Sequence, residues 1–497
     1  MASNSVKLDR NSNQALGIGQ FAVDFMNGSL GPGPSEAVLN RTRDFHTDAV
    51  LCGLSALALG TNAPTILRAE ALAYPDETGA TVFNSRVRVK PEKAIVANSA
   101  ASREWDSNGT NFGYNPSLGH VAGEFGHNDF YPVAIAACQV AGKDGATALK
   151  AMVLLDEIRG RLAEVFSLKT YKIDHVVHGA IASAATYGAI LGATPEQIES
   201  AIGMFVAHYI PWRAIRAGKQ LSDSKGASAA ISTEAAVLCM QRSLRGFVGP
   251  KDIFRNPESM FRQFEKTDGA SPFDLVLNHS GDDFAVMGMH FKLGLYEHQS
   301  AGAIHGILQL LLENPELRQP GAIQGITVKA YEPAFGIIGD PAKRDPKTRQ
   351  SADHSMVFII ARILKNALAA GTVSSLEDIW EATMLMPQDY DDAALADPQT
   401  RELMALIGFE HGGPAYDAAY PEGIPTSVHL QTSKGVVETE MVMFPIGHAL
   451  NNDHDLTRML TAKWQRLATL SATTSPDETI QTLAALPNLS AAQLLTF

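Results

Sequence analysis

The chain has 497 residues, of which 45% are hydrophobic and 19% are charged, and its mean hydropathy is −0.03. This composition is typical of a globular protein that buries a large core in one to three domains. The formal net charge of −13 argues against nucleic acid or an anionic membrane as a partner, because both bind basic surfaces. An anionic small substrate would need a local cluster of cations.

The three cysteines, Cys52, Cys138 and Cys239, lie far apart and form no C-x-x-C motif. The sequence therefore indicates neither an iron–sulfur cluster nor a zinc ribbon, and a reducing compartment fits best. The first residues lack a secretory hydrophobic region, and no apolar run reaches the length of a membrane span. We expect a cytoplasmic protein without a membrane partner.

Helical patterns dominate the first half of the chain, and we predict no strand there. A loose arm of about a dozen residues is expected before the first helix, and Thr194 with Pro195 has the pattern of a capped helix start. The predicted helices cover residues 16–26, 35–60, 93–103, 131–140, 145–166 and 173–192.

Residues 103–132 have neither the period of a helix nor that of a strand, and we call them the site loop. Aromatic residues such as Trp105 and Phe130 need packing partners, so the loop is predicted to be buried. Burying polar residues such as Asp106 and His127 is costly unless they bond to each other or to a ligand. The loop therefore indicates a structural polar network or an acid/base site.

A basic segment follows at residues 212–225, where Arg213, Arg216 and Lys219 recur every three residues. If the segment is helical, these side chains share one face, which is ordinarily a solvated face. Lys225 directly precedes an Ala-rich stretch that predicts a buried helix. A lysine in that position can meet an anion at the helix N-terminus.

After about residue 281 the pattern changes to a mixture of strands and helices, and the tail is helical again from about residue 456. We predict a mainly α protein, in which residues 1–280 and 445–497 form a large all-helical domain and residues 281–444 form a smaller α+β domain. Clefts between such domains are favoured ligand sites. Strands are predicted at 287–297, 325–335, 426–432 and 435–444, the last two as a hairpin, and helices at 355–371 and 375–385.

Motifs for metal and nucleotide chemistry are missing from the sequence. His175 and His178 are three residues apart, but there is no H-E-x-x-H, no phosphate-binding loop with its lysine and no G-x-S-x-G. We therefore predict no metal and no cofactor. General acid/base chemistry remains, and its candidates lie in the site loop or at helix and strand ends. These candidates are Asp106, His127, His175, Lys225, His298 and Tyr331. A lone histidine in such a pattern is more often a hydrogen-bonded core residue than a catalytic one, and this holds for both His175 and His298.

Several motifs occur together in a recognisable order. They are REWD, HVAGEFGHND, YKIDHVVHGAIASAA, SDSKGASAA, HFKLGLYEHQSA, SADHSMVF and FPIGH. In this order, and over nearly the whole chain after about residue 40, the sequence resembles the MmgE/PrpD family, and within it the 2-methylcitrate dehydratases. The resemblance implies a helical domain made from both chain ends, an α+β lid domain and a site between them. It also implies a homodimer, and a mitochondrial matrix location is the alternative to the cytoplasm.

The resemblance also implies roles for individual residues. It places the family's active-site carboxylate at Asp106, its lysine at Lys225 and its loop, helix and lid histidines at His127, His175 and His298. The lid tyrosine of the decarboxylases falls near Tyr331. We expect Lys225 with Arg213 or Arg216 to bind substrate carboxylates, and two of Asp106, His127 and His175 to act as acid and base. Many relatives have His-Pro-Ser where this chain has His127-Asn128-Asp129.

The activity that the resemblance implies is metal-independent elimination of water from 2-methylcitrate to give 2-methylaconitate. Decarboxylation of cis-aconitate to itaconate in the same cleft is the nearest alternative, and release of CO₂ would distinguish it. A non-catalytic tricarboxylate-binding relative is a third possibility, suggested by the altered segment after His127. Binding without turnover would favour that alternative.

Overall fold

The computed structural model describes residues 4–216, 220–471 and 475–496, so Lys219 of the basic segment lies outside the described residues. Helices make up most of the chain before residue 245 and again after residue 455, and they alternate with strands in between. Each helix that was predicted is present within a few residues of its predicted position. The helices are α1 (Gln14–Asn27), α2 (Glu36–Ala58), α3 (Asn62–Leu72), α4 (Pro91–Arg103), α5 (Pro132–Ala141), α6 (Gly145–Val165), α7 (Val176–Ile190), α8 (Pro195–His208), α9 (Asp223–Gly226), α10 (Ser228–Leu244), α11 (Met260–Phe264), α12 (Ala301–Glu313), α13 (Arg349–Ala352), α14 (Met356–Ala369), α15 (Leu376–Thr383), α16 (Asp392–Ala396), α17 (Pro398–Ala405), α18 (Pro414–Ala419), α19 (Leu456–Ser471), α20 (Pro476–Ala484) and α21 (Ala491–Leu494).

Small residues allow the helices of the first half to pack closely. α7 contacts α6 and α10 along its length and is buried on nearly all sides. A Cβ atom on Gly179 of this helix would lie 2.0 Å from the ring of Phe130, so only glycine fits beneath the site loop. At the start of α8, Thr194 and Gln197 form the capping box that the sequence predicts.

The C-terminal helices pack on the N-terminal ones. α19 and α20 contact α2, and α21 contacts α5. Both parts of the chain therefore contribute to one helical layer. The division into domains at residues 280 and 444 stays a prediction.

The main sheet lies in the second half of the chain. Its strand order is β10-β9-β7-β8, in which β7 and β8 run parallel and the other neighbours are antiparallel. β9 and β10 form the predicted hairpin, and α12 packs on β9. The strands are β1 (Ser5–Leu8), β2 (Pro75–Thr81), β3 (Arg88–Val89), β4 (Thr110–Asn111), β5 (Gly126–His127), β6 (Leu275–Asn278), β7 (Ile323–Ala330), β8 (Ile407–His411), β9 (Thr426–Thr432) and β10 (Gly435–Glu438).

Two predictions about strands are wrong, and one strand was missed. The first half is not free of strands, because β2 pairs with β3 and β4 with β5, and β1 ties the N-terminal arm, which was expected to be loose, to β6. The missed strand is β8. The segment 287–297 is not a strand, since its backbone bonds to four separate parts of the chain, at Thr110, Asp353, Leu385 and Gly447. Its apolar alternation reflects burial on both sides and not membership of a sheet.

Among the described residues, no single helix is long and apolar enough to cross a membrane. Taken together, α2 and α3 have the length and the apolar composition of a membrane span, but they are bent by 90° at their junction.

Candidate active site

The site loop runs between the end of α4 and the start of α5 and is buried except around residues 114–122. Its aromatic residues other than Tyr114 pack into the core, and the short β4–β5 pair joins two of its segments. Some polar residues of the loop form a structural network, and others lie at a cleft where they can act as acid or base. Asn108 and Asp129 form a polar network with Arg103, and His120 bonds Glu164 at 2.8 Å. Asp106 and His127 face a cleft instead.

The Asp106 backbone has a φ of +52°, a left-handed conformation that is costly for a residue with a side chain. Buried cations hold it there. The Lys292 ammonium donates to the Asp106 carbonyl oxygen at 2.6 Å and to Oδ1 at 3.2 Å, and Arg103 pairs with the same carboxylate. Burial lowers the pKa of Lys292 well below its usual value.

A second lysine fixes this arrangement from the C-terminal helix α19. The Lys463 ammonium donates to the carbonyl oxygens of Ser107 and Lys292, both at 2.8 Å, and to the Asp48 carboxylate at 2.9 Å. Lys463 and Asp48 are fully buried. The site loop, α2 and α19 are therefore joined at one ammonium group.

The cleft is lined by residues from distant parts of the chain. The helical part of the chain and the sheet-containing part both contribute to its wall. The predicted site residues that line the cleft are Asp106, His127, His175, Arg213, Arg216 and Lys225.

One side of the cleft is rich in cations. Arg213 and Arg216 lie on a 3₁₀ turn, where Arg216 pairs with the fully buried Asp174 and thereby holds the pKa of that carboxyl below its usual range. The Arg213 Nη1 atom is buried and has no hydrogen-bond partner within the described residues. Burial lowers the pKa of Lys225 to about 7. Lys343, from the sheet-containing part, completes this side.

Two imidazoles face the same space. The ring centroids of His127 and His175 are 5.1 Å apart. Burial lowers the pKa of each well below 6.5, and nearby guanidinium groups add to the effect, so both rings are neutral at pH 7. The Nδ1 atoms of both rings are buried without a hydrogen-bond partner among the described residues. A neutral imidazole with a free nitrogen can accept a proton.

A cluster of two carboxylates and an imidazole lies beside Lys225. His354 Nδ1 contacts Asp353 Oδ1 at 2.6 Å, and His354 Nε2 lies 3.3 Å from Asp106 Oδ2. The Lys225 ammonium is 3.3 Å from Asp353 Oδ1 and 3.9 Å from Asp106 Oδ2. These groups are close enough to surround a divalent ion, but the lysine already supplies a cation between the two carboxylates. The expected absence of a metal stays a prediction.

Apolar side chains form another part of the wall of the cleft. Phe112 and Phe125 pack edge to face with their centroids 5.5 Å apart, and Leu221, Ile337 and Ile338 also line the cleft. A ligand in the cleft therefore meets both charged groups and hydrocarbon.

Two predicted residues lie behind this wall and do not line the cleft. The His298 ring stacks on His290 with the centroids 5.1 Å apart and lies 5.8 Å from Phe112. Tyr331 stacks on Tyr420 at 4.7 Å, and its buried hydroxyl has no hydrogen-bond partner among the described residues. The neighbours of His298, Glu297 and Gln299, are the ones that reach the cleft. The roles expected of His298 and Tyr331 stay predictions.

Sequence reasoning assigned no role to several polar residues that line the cleft, namely Arg103, Thr110, Glu297, Gln299, Lys343 and His354. Arg103 begins the REWD motif and His354 lies in SADHSMVF, so both stood in motifs that were noted without a role. Lys343 lies in no such motif. The unusual Asn128 and Asp129 make contacts outside the cleft, Asn128 with the Phe45 carbonyl oxygen and Asp129 with Arg103.

Two family models match the chain. The model of the MmgE/PrpD N-terminal domain matches residues 24–272, and that of the MmgE/PrpD C-terminal domain matches residues 381–488. Alkylcitrate dehydratase phiI of Fungal sp. (strain ATCC 74256) is 26% identical over 219 residues, which cover 43% of this chain and 42% of the relative. The 2-methylcitrate dehydratase of Escherichia coli (strain K12) is 24% identical over 322 residues, which cover 63% of this chain and 61% of the relative. The aligned regions thus span about half of the length of these relatives. The chain belongs to the MmgE/PrpD family.

Proposed function

We propose that this protein is a hydro-lyase that eliminates water from a citrate-type tricarboxylate, with 2-methylcitrate as the substrate. The observation that carries the proposal is a set of buried polar atoms around one cleft that make no hydrogen bond within the described residues. They are Asp106 Oδ2, His127 Nδ1, His175 Nδ1 and Arg213 Nη1. Unpartnered buried polar groups are costly, and a polar ligand would satisfy them. The two relatives with dehydratase names support the same reaction class.

The cations of the cleft suit a substrate with several carboxylates. Arg213 has a guanidinium nitrogen without a partner in the described part of the chain, and Lys225 adds a second positive charge to the lining of the cleft. When a proton leaves the carbon next to a carboxylate, negative charge develops on that carboxylate. Fixed cations in a cleft shielded from water stabilise this charge in the transition state.

The two imidazoles have the protonation state that a base needs. A neutral imidazole, of His127 or His175, takes the proton from the substrate carbon, and the electrons of that C–H bond form the double bond. The C–O bond breaks with its electron pair on oxygen, and a proton from the Asp106 carboxyl converts the leaving group into water. The products are the unsaturated tricarboxylate and water.

The apolar wall favours a substrate that carries an alkyl group. Phe112 and Phe125 offer hydrocarbon surface in the lining of the cleft, where the methyl group of 2-methylcitrate would be buried. Burying one methyl group contributes about 0.8 kcal/mol, and a fitted pocket can distinguish one carbon by roughly 10- to 200-fold. We therefore expect a higher kcat/KM for 2-methylcitrate than for citrate.

The experiment is an ultraviolet assay for the conjugated product with 2-methylcitrate, citrate and cis-aconitate offered in parallel. The enzyme is dialysed against EDTA first, and full activity is expected because Lys225 and the arginines supply the positive charge. Phe125→Ala should reduce the preference for 2-methylcitrate over citrate. Absence of product from both hydroxy acids would refute the proposal, and dependence on added metal would refute its metal-free form.

A second candidate function is decarboxylation of cis-aconitate. The apolar wall of Phe112 and Phe125 favours it, because carboxylate loss is promoted when the carboxylate is desolvated. Loss of cis-aconitate accompanied by CO₂, without turnover of the hydroxy acids, would identify this reaction.

A further inference from the structure

His354 occupies a position that is unusual for a histidine, between two carboxylates. It lies in the turn between α13 and α14 and lines the cleft, and its side chain is 12% exposed. Nδ1 contacts Asp353 Oδ1 at 2.6 Å, and Nε2 lies 3.3 Å from Asp106 Oδ2. Asp353 is itself fixed, because Arg349 donates to its other oxygen at 2.8 Å.

Carboxylate oxygens and the unprotonated nitrogen of an imidazole are both acceptors, so a hydrogen bond between them needs a proton. One proton lies between Nδ1 and Asp353, which form a hydrogen bond at 2.6 Å. Asp106 Oδ2 makes no hydrogen bond within the described residues, but it lies 3.3 Å from Nε2, close enough to share a second proton with that nitrogen when either group carries one. Such a pair titrates as a unit.

Several charged groups face this pair from the surrounding elements. Burial lowers the pKa of His354 well below 6.5, and the nearby cations lower it further, which favours the proton on the carboxyl of Asp106. Against this, Arg103 and Lys292 pair with the Asp106 carboxylate and favour its ionised form. The cations that act on His354 are Lys225 of α9, Lys343, Arg103 of α4 and Arg216.

We propose that His354 shares one proton with Asp106, and that this pair, fixed by Asp353, supplies the proton that converts the leaving hydroxyl group into water. The inference rests on the proposed dehydratase activity. His354 acts through Asp106 and is therefore a positioning residue. In the step, the shared proton moves to the hydroxyl oxygen as the C–O bond breaks. The pair is reprotonated from water after the product leaves.

The test is the pH profile of His354→Gln. The glutamine amide can still reach Asp106, but it cannot exchange a proton. We expect kcat to fall by about 10²- to 10⁴-fold, with little change in KM, because only the proton transfer is removed. Without the imidazole acceptor, the neighbouring cations favour the ionised form of Asp106 and lower its pKa. The basic limb of the kcat profile should therefore move to lower pH.

A second variant and a control complete the design. His354→Asn keeps the contact with Asp353, loses the reach to Asp106, and is expected to lose kcat in the same way. His411→Gln removes another histidine–carboxylate contact, to Asp417 at 3.0 Å, which is exposed and distant from the lining of the cleft. It should leave kcat and the profile unchanged. Folded His354 variants whose activity falls equally at every pH would overturn the proposal.

Proton linkage separates this inference from the dehydratase activity. Propane-1,2,3-tricarboxylate, which has no hydroxyl group to lose, is titrated calorimetrically in two buffers of different ionisation enthalpy. We expect the number of protons exchanged on binding to change between the native protein and His354→Gln. An unchanged number would contradict the shared proton even if turnover is observed. A change without any turnover would support proton sharing while refuting the dehydratase.

Discussion

At the scale of single residues, Arg213 and Arg216 differ in what they bind although they lie on one turn. Arg216 is paired with the buried Asp174, whereas Arg213 has a buried nitrogen at the cleft that has no hydrogen-bond partner among the described residues. Substitutions of the two arginines should therefore have different effects. We expect Arg213 to act mainly in substrate binding and Arg216 mainly in folding.

We expect Arg213→Gln to raise KM for the tricarboxylate by about tenfold to a hundredfold, since a hydrogen bond to a charged group contributes about 1.5–3 kcal/mol. Thermal stability should stay close to that of the native protein. Steady-state kinetics and thermal unfolding would measure both properties. An unchanged KM would show that Arg213 does not contact the substrate.

Arg216→Gln should instead destabilise the fold by roughly 3–5 kcal/mol, because it leaves Asp174 buried without its partner. The pKa of Asp174 is depressed in the folded protein, so the pair stabilises the fold above the unfolded pKa, and this stability is lost as the pH falls. Denaturant unfolding at neutral and acidic pH tests this. The loss caused by Arg216→Gln should be smaller at acidic pH, and an equal loss at both would contradict the assignment.

Lys225 gives a pH dependence of substrate binding. Burial lowers its pKa to about 7, so the free site loses the ammonium charge as the pH rises above that value. KM for the tricarboxylate should therefore increase above pH 7. Arginine does not lose its proton in this range, so the rise attributed to Lys225 should be absent in Lys225→Arg. A rise of the same size in that variant would assign the effect to another group.

At the scale of elements, α19 acts on the site through Lys463. This ammonium binds Ser107, Lys292 and Asp48 in a fully buried position. We expect Lys463→Met to cost roughly 3–5 kcal/mol and to lower kcat, because the loop that carries Asp106 loses its support. Lys365→Met removes a partly exposed contact with Asp397 at 2.7 Å and is the control, with a cost of at most about 1 kcal/mol. Native kcat in a folded Lys463→Met would contradict this role.

Most helices could be predicted from the sequence because their signals are local. Thr194 caps α8 through its own neighbours, and the small residues of α7 form a continuous pattern. β8 and the segment 287–297 depend on distant partners, β7 for the first and four separate parts of the chain for the second. Apolar alternation cannot distinguish a strand from a chain that is buried on both sides.

At the scale of the whole molecule, an acidic protein gathers several cations in one cleft. Arg103, Arg213, Arg216, Lys225 and Lys343 repel one another there, although carboxylates such as Asp174 offset part of the cost. We expect propane-1,2,3-tricarboxylate to raise the melting temperature, since a ligand at 100 times its Kd stabilises by about 2.7 kcal/mol. Acetate at equal concentration is the control. The absence of a shift would argue against a tricarboxylate site.

Only part of the site could be predicted, because some of its residues come together through contacts between distant parts of the chain. Asp106, His127, His175 and Lys225 lie in motifs with a recognisable order, and the structure brings them to one cleft. His354 and Lys343 reach that cleft only because the sheet-containing part of the chain folds against the helices. Sequence spacing contains no information about that approach, so their neighbours across the cleft could not be foreseen.

The junction at Lys463 has a consequence for biosynthesis. Ser107 precedes Lys463 by 356 positions, so the ribosome completes the site loop long before it makes the group that holds the loop in place. Until then the left-handed Asp106 and its buried neighbours lack one of their supports. Nascent chains that stall between these two points should remain inactive and should be a substrate for chaperones that bind exposed loops.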